Sequence, residues 1–162
     1  MIRVAIVTIS DSCSQGTLKD LSGPALAERI GLQGWDIAAT MILPDDAARI
    51  TATLKDLCDT GKASLILTTG GTGVAARDVT PEATRAIIER EVPGIPEFIR
   101  AEGARLNRRA ILSRGVAGTR GRTLIVNLPG SPAGAMESFN AIADVITHVT
   151  DLLEGRTEHK GQ

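Results

Sequence analysis

Runs of apolar and β-branched residues recur along the chain at a length typical of buried strands. They predict five strands, over residues 4–9, 35–43, 64–69, 113–119 and 123–127. The first run is almost entirely apolar, so we expect an inner strand that is covered on both faces. The last two runs flank Arg120, Gly121 and Arg122, which predicts a hairpin.

Between these runs, apolar residues recur at the three- and four-residue spacing of amphipathic helices. Helices are predicted from Ser22 as N-cap, from residues 44–46, from Thr80 as N-cap, from Pro96, and from residues 129–132. Strands alternating with helices predict an α/β fold, a three-layer α/β/α sandwich around a mostly parallel mixed sheet. Residues 1–155 would form this single domain, and residues 156–162 a frayed tail.

Composition and charge narrow the functional classes. The 162 residues include 18 basic and 19 acidic side chains, giving a net charge of -1, and the aromatic residues are one Trp and two Phe. This balance provides neither the field nor the stacking platform that a nucleic-acid binder needs. Cys13, Cys58 and two histidines show no metal-ligand spacing, which argues against zinc, haem and Ser/His/Asp catalysis.

The apolar segments also bear on location. Residues 1–10 lack the basic start and the small-residue cleavage site of a signal peptide. Every other apolar stretch is interrupted well before the roughly 20 residues that a membrane helix requires. We therefore expect a cytoplasmic protein without a membrane partner.

Ligands of open α/β sheets bind beyond the carboxyl ends of the strands. Four segments follow predicted strands in this way, at residues 10–12, 44–46, 70–78 and 128–131. In the third, Gly70, Gly71, Thr72 and Gly73 would let backbone amides approach a phosphate, although a glycine-rich turn after a strand is equally compatible with a purely structural role. The segment is not a Walker A loop, because the GxxxxGK[ST] pattern is missing.

Two aspartates near this loop are candidates for metal binding. Asp78 lies in the loop after the glycines, and Asp45 follows the second strand; beside phosphates, such a pair suits Mg²⁺. Helix capping is the alternative role, which we assign to Asp46 and consider for Asp45. Arg77 would serve equally well as a phosphate ligand or as a solvated side chain.

Residues 10–13 allow similar alternatives. Ser10, Asp11 and Ser12 could bind a polar ring or a phosphate, but ordinary turn chemistry also explains such a cluster. Cys13 has no identifiable histidine partner and is interpreted as a passive thiol.

Taken together, these segments resemble the molybdopterin adenylyltransferase family, which includes bacterial enzymes and the G domains of gephyrin and its plant relatives. The resemblance covers almost the whole chain. It lies in ISDSC at residues 9–13, DLSG at 20–23, PD at 44–45, LILTTGGTGVAARDVTPEAT at 65–84, LSR at 112–114 and TLIVNLPGS at 123–131. It implies the molybdopterin-binding-domain fold and the transfer of AMP from ATP to the phosphate of molybdopterin, with release of pyrophosphate.

The resemblance also implies roles for individual residues. Nucleotide binding is expected at Gly70, Gly71, Thr72, Gly73, Pro129 and Gly130; molybdopterin binding at Ser10, Asp11, Ser12, Ser113 and Ser131; and catalysis with Mg²⁺ at Asp45 and Asp78. A homotrimer is implied as well. Molybdate insertion would then fall to a separate downstream partner protein.

One position departs from the family pattern. Gly103 stands where a Ser is usual, and Asn107 and Arg108 replace a frequent Thr-Pro. A ligand hydrogen bond worth about 1 kcal/mol would be missing. The alternative function is a molybdopterin carrier or scaffold without catalysis, against which the presence of both Asp45 and Asp78 argues.

Overall fold

Six strands form one mixed sheet in the computed structural model, which describes residues 1–156. The strands are β1 (Arg3–Ile9), β2 (Asp36–Leu43), β3 (Leu65–Thr69), β4 (Arg90–Glu91), β5 (Ala117–Arg120) and β6 (Thr123–Leu128), and they lie in the order β2-β1-β3-β6-β5-β4. β2, β1, β3 and β6 are parallel, whereas β5 and β4 are joined by antiparallel pairing at one edge. The predicted inner position of β1 is confirmed.

Helices cover both faces of this sheet. They are α1 (Asp11–Ser14), α2 (Ser22–Leu32), α3 (Ala47–Asp59), α4 (Thr80–Arg85), α5 (Gly94–Leu106) and α6 (Pro132–Leu153), with a 3₁₀ helix at Arg108–Leu112. Alternate residues of β1 enter two separate cores: Ile6 packs with residues of α2, α5 and α6, and Val7 packs with residues of α3 and α4. This arrangement confirms the three-layer α/β/α fold.

Several predicted elements differ from the observed ones. Residues 113–116 are not a strand, and the helix expected from Pro96 begins at Gly94. α4 ends at Arg85, and the short strand β4 follows it. With two residues, β4 is too short for a hydrophobic pattern; its pairing with β5 defines it.

The predicted N-caps Ser22 and Thr80 are wrong, because each is the first residue of its helix. The Ser22 hydroxyl instead donates to the carbonyl oxygen of Gly130 at 2.7 Å. The Thr80 hydroxyl donates to the carbonyl oxygen of Gly70 at 3.0 Å. Both hydroxyls therefore fasten loops at the carboxyl edge of the sheet, where tertiary partners replace local capping.

The predicted tail, residues 156–162, lies outside the described residues except for Arg156, whose guanidinium pairs with Asp151. The boundary at residue 155 stays a prediction. No helix within residues 1–156 combines the length and the apolar character required to cross a bilayer.

Candidate active site

The glycine loop after β3 adopts a conformation that requires glycine. Gly70 and Gly71 have φ angles of 104° and 67°, in the region that L side chains rarely adopt. A Cβ at Gly70 would overlap the carbonyl oxygen of Ile9, and a Cβ at Gly71 would overlap the Thr80 hydroxyl. The loop is thus pressed against β1 on one side and against α4 on the other.

Hydrogen bonds fix the loop from outside and leave its centre open. The amide of Gly70 donates to the carbonyl of Leu128 at 3.2 Å, and the carbonyl of Gly71 accepts from the amide of Thr80 at 3.1 Å. Within residues 1–156, the amides of Gly71, Thr72 and Gly73 donate to no protein acceptor. Three successive free amides in one loop are donors of the kind that suit an anion.

Asp45 and Asp78 approach this loop from different sides. A Cβ built on Gly71 would lie 3.1 Å from Asp45 Oδ1, and one built on Gly73 would lie 2.8 Å from Asp78 Oδ2. The same Oδ2 of Asp78 accepts from the amide of Ala75 at 3.0 Å. Both carboxylates therefore lie beside the glycine loop.

Asp45 does not cap α3. Its neighbour Asp46 does, accepting from the amide of Arg49 at 3.0 Å, which confirms the capping role predicted for Asp46. Burial raises the pKa of the Asp45 carboxyl above its usual value; the hydrogen bond from the amide of Asp11 opposes this rise, and the charges of Asp11 and Asp78 add to it. A carboxylate among like charges is suited to a cation.

Asp11 is held by internal partners. Its carboxylate accepts from both Nε and Nη2 of Arg77 at 2.8–2.9 Å, and it accepts from the amide of Asp45 at 3.0 Å. The Arg77 guanidinium holds the pKa of this carboxyl below its usual range. Of the two roles left open for Arg77, phosphate ligand or solvated side chain, the structure shows the second, because its side chain is 68% exposed while it pairs with Asp11.

Two adjoining cavities open beside the glycine loop. The larger has a volume of about 520 Å³ and the smaller about 350 Å³; Gly71, Asp78 and Gly130 line both. Of the predicted ligand residues, the larger cavity also contains Thr72, Gly73, Pro129, Ser113 and Ser131. The smaller cavity contains Ser10, Asp45 and Gly70.

Asp11 and Ser12 line neither cavity. Ser12 is exposed, and its carbonyl accepts from the amide of Thr17 at 3.0 Å. Ser10 and Ser131 also have structural roles, since their hydroxyls cap α1 and α6 by accepting from the amides of Cys13 and Gly134. Of the five residues predicted to bind molybdopterin, the larger cavity is lined by Ser113 and Ser131 and the smaller by Ser10, whereas Asp11 and Ser12 line neither.

Three basic residues lie at the site, and two of them, Lys19 and Arg114, were not predicted to act there. Lys19 lines the smaller cavity and Arg109 the larger one. Arg114 is bound to the loop itself, donating to the carbonyls of Gly73 at 2.7 Å and Asp78 at 2.9 Å, while its third contact is Glu82. The LSR motif at residues 112–114 pointed to Arg114, whereas nothing in the local pattern marked Lys19.

The departure at Gly103 has a steric explanation. Gly103 lines the larger cavity, and a Cβ at this position would lie 2.9 Å from the Cβ of Ala110. A Ser there would have to displace the 3₁₀ helix that carries Ala110. Asn107 and Arg109 line the same cavity.

A divalent cation would need ligands in addition to protein carboxylates. Within residues 1–156, no three His, Cys, Asp or Glu side chains cluster closely enough to hold a metal ion. The pair Asp45 and Asp78, beside amides that suit phosphate, fits Mg²⁺, which commonly takes one or two carboxylates and completes its shell with phosphate oxygens and water.

Comparison with known protein families identifies the family of the chain. Residues 5–148 match the model of the probable molybdopterin binding domain, and the chain belongs to this family. A molybdopterin adenylyltransferase from Helicobacter pylori (strain J99) is 37% identical over 95% of this chain and 89% of its own length. The Escherichia coli K12 protein of the same name is 41% identical over 88% of this chain and 74% of its own length.

Longer relatives and solved structures extend the comparison. The molybdenum cofactor synthesis protein cinnamon of Drosophila melanogaster is 42% identical, and the chain spans 26% of its length. The molybdopterin biosynthesis enzyme MoaB of Thermus thermophilus has a TM-score of 0.91 at 47% identity, covering 96% of this chain and 98% of that one. The Mog protein of Mycobacterium ulcerans has a TM-score of 0.88 at 35% identity, covering 94% and 99%.

Proposed function

We propose that this chain is a molybdopterin adenylyltransferase, which transfers AMP from ATP to the phosphate of molybdopterin and releases pyrophosphate. One observation carries the proposal: three free amides, at Gly71, Thr72 and Gly73, lie between two carboxylates where two cavities meet. A group transfer needs two substrates whose phosphates meet at one point. Relatives that bear this enzyme's name at 37–41% identity support the same reaction.

The two cavities suggest a division between the substrates. We assign the pterin to the larger cavity, where Ser113 and Ser131 offer hydroxyls and Ile99 and Leu106 offer apolar surface. The triphosphate would lie along the smaller cavity, which contains Asp45 and Lys19. We do not keep Asp11 and Ser12 as pterin ligands, because neither borders a cavity.

The reaction requires positioning more than acid–base chemistry. An oxygen of the molybdopterin phosphate attacks the α-phosphorus of ATP, the bond between this phosphorus and the bridging oxygen to the β-phosphate breaks, and pyrophosphate leaves with the electron pair. The amides of Gly71 to Gly73 would hold non-bridging oxygens of the phosphates at the junction. Holding the two phosphates in line in a fixed loop supplies the effective concentration that lowers the barrier.

Asp45 and Asp78 complete this arrangement in the proposal. They would hold Mg²⁺, which neutralises phosphate charge and stabilises the leaving pyrophosphate. Each carboxylate is fixed by a backbone amide: that of Asp11 donates to Asp45 Oδ2 and leaves Oδ1 beside Gly71, and that of Ala75 donates to Asp78 Oδ2, the oxygen beside Gly73. No histidine is required for the reaction.

The test is to supply molybdopterin, ATP and Mg²⁺, and to measure adenylylated molybdopterin by mass spectrometry together with pyrophosphate. Equal amounts of both products are expected. The alternative, a carrier or scaffold, predicts molybdopterin binding with no pyrophosphate above the level of a control without pterin. The intact acidic pair favours the enzyme.

We further propose that the enzyme is a cytoplasmic homotrimer whose product passes to a separate molybdate-insertion protein. These proposals rest on the resemblance of the sequence to the family. Light scattering coupled to size-exclusion chromatography tests the trimer, and a monomeric mass at micromolar concentration would contradict it.

A further inference from the structure

We propose that Asp11 and Arg77 form a clamp that positions the Asp45 carboxylate for its role at the glycine loop. The inference rests on the proposed function and deepens it, because it assigns two positioning residues to the same site. Arg77, in the loop that follows β3, and Asp11, the first residue of α1, are 66 residues apart in sequence, and their side chains meet beside Asp45.

The first part of the clamp is a reciprocal contact between two backbones and two carboxylates. The amide of Asp11 donates to Asp45 Oδ2 at 3.0 Å, and the amide of Asp45 donates to Asp11 Oδ1 at 3.0 Å. This pair of bonds fixes the loop after β1 to the loop after β2. It occupies Oδ2 of Asp45 and leaves Oδ1 facing Gly71.

The second part holds Asp11 itself. Arg77 Nη2 donates to both Asp11 oxygens, and Nε donates to Oδ2, all at 2.8–2.9 Å. Each oxygen of Asp11 therefore has two internal donors, counting the amide of Asp45, and Asp11 borders neither cavity. A carboxylate so occupied is suited to orienting its neighbour rather than to binding a substrate.

The charges explain why both residues are needed. Asp11 alone would add a third negative charge beside Asp45 and Asp78, and it would repel the phosphates. The guanidinium of Arg77 offsets part of that charge, and its planar fork fixes both oxygens at once. The result is one oriented carboxylate oxygen, Asp45 Oδ1, beside which the negative charge of Asp11 is partly offset.

The chain contains a matched control for this pair. Arg120 and Asp59 form a second two-pronged contact, with Nε to Oδ1 at 2.7 Å and Nη2 to Oδ2 at 3.0 Å. Arg120 ends β5 and is paired with Thr123 at the start of β6. The contact therefore lies at the end of the strands opposite to the glycine loop. Asp59→Asn and Arg120→Ala remove a similar ion pair without touching the site.

The experiment compares Asp11→Asn, Arg77→Ala, their double variant and the two controls. Two quantities are measured: the affinity for Mn²⁺ in the presence of an ATP analogue with a methylene bridge between its α- and β-phosphates, by calorimetry, and kcat for pyrophosphate release. Each single variant should weaken Mn²⁺ binding and lower kcat about 10-fold to 100-fold, the usual effect of removing a group that orients a metal ligand. The controls should match the unmodified protein in both.

The double variant and a conservative variant decide between positioning and direct contact. If the pair acts as one unit, the double variant is no worse than the more impaired single variant. Arg77→Lys keeps the charge and loses the fork, so it should not restore Mn²⁺ affinity. Losses that add in the double variant, or full rescue by Lys, would show that Arg77 binds phosphate directly and would overturn the clamp.

Failure of the proposed reaction can be distinguished from failure of the clamp. If the reaction is wrong, the unmodified protein releases no pyrophosphate, while the Mn²⁺ titrations still report on the clamp. Equal Mn²⁺ affinity in Asp11→Asn and Asp59→Asn would refute the clamp whatever the reaction.

Discussion

The neighbouring residues Asp45 and Asp46 allow the proposed metal site to be tested separately from the stability of the fold. Asp46 caps α3, and Asp45 faces the glycine loop. We therefore consider two substitutions, Asp46→Ala and Asp45→Asn. The first removes the cap, and the second removes a charge while keeping an oxygen that accepts from the amide of Asp11.

The two substitutions should change different quantities: Asp46→Ala the free energy of unfolding, and Asp45→Asn the turnover. Loss of the single cap bond to the amide of Arg49 should cost about 1 kcal/mol of unfolding free energy. In a chain of this size that lowers the thermal midpoint by about 2–4 °C. Asp45→Asn should leave the midpoint within about 1–2 °C and reduce turnover on the order of 100-fold, the typical effect of removing a group that stabilises charge in the transition state.

The assay is thermal unfolding, followed by circular dichroism, together with pyrophosphate release at saturating Mg²⁺ for each variant. Asp46→Ser is the matched control, because Ser caps about as well as Asp and should restore the midpoint. The reasoning fails if Asp45→Asn keeps full turnover, or if Asp46→Ala loses turnover without a change in midpoint.

Three further predictions follow from individual contacts. Gly71→Ala should cost about 1–3 kcal/mol in urea unfolding as well as nucleotide affinity, because φ is 67° and a Cβ would overlap the Thr80 hydroxyl; an unchanged midpoint would contradict the loop conformation. Asn127→Ala should cost about 2 kcal/mol or more by the same assay, because its buried side chain bonds two threonine hydroxyls and the amide of Val116, whereas a cost near zero would argue against this network. Burial raises the pKa of Cys58 from 9.0 to about 11. At pH 8 the thiolate fraction of Cys58 should therefore be about 100-fold lower in the folded than in the unfolded protein. The alkylation rate of Cys58, measured in a Cys13→Ser background, should fall by the same factor. Because the folded state holds this proton more tightly, the associated stability is present below pH 9 and is lost as the pH rises towards 11; equal folded and unfolded rates would refute the shift.

Local sequence patterns were sufficient to predict an element whose structure depends mainly on its own residues. The run at residues 4–9 predicted β1, and the division between Asp45 and Asp46 followed from the position of the two residues between a strand and a helix. The parallel order of β1, β2, β3 and β6 then places their carboxyl ends at one edge of the sheet. This is why the glycine loop and both aspartates could be predicted to meet.

Contacts between segments that are distant in the chain could not be predicted from local sequence patterns. The Ser22 hydroxyl has its partner 108 residues away at Gly130, so a local capping rule assigned it the wrong role. Arg77 likewise has its partner at Asp11, and only the assembled edge of the sheet brings the two together. Lys19 lines the smaller cavity in a segment that contacts β1, where Asp20 accepts from the Thr8 hydroxyl at 2.8 Å, and no local pattern indicates this contact.

The most direct test of the proposed reaction follows the position of a phosphorus label in a single turnover. ATP labelled at the α-phosphate or at the γ-phosphate is mixed with molybdopterin, Mg²⁺ and excess protein. The proposed reaction predicts that the α-label appears in the pterin product and the γ-label appears in pyrophosphate, in equal amounts. Both transfers should be strongly reduced in Asp45→Asn. Transfer of the γ-label to the pterin, or pterin binding with no transfer of either label, would contradict it.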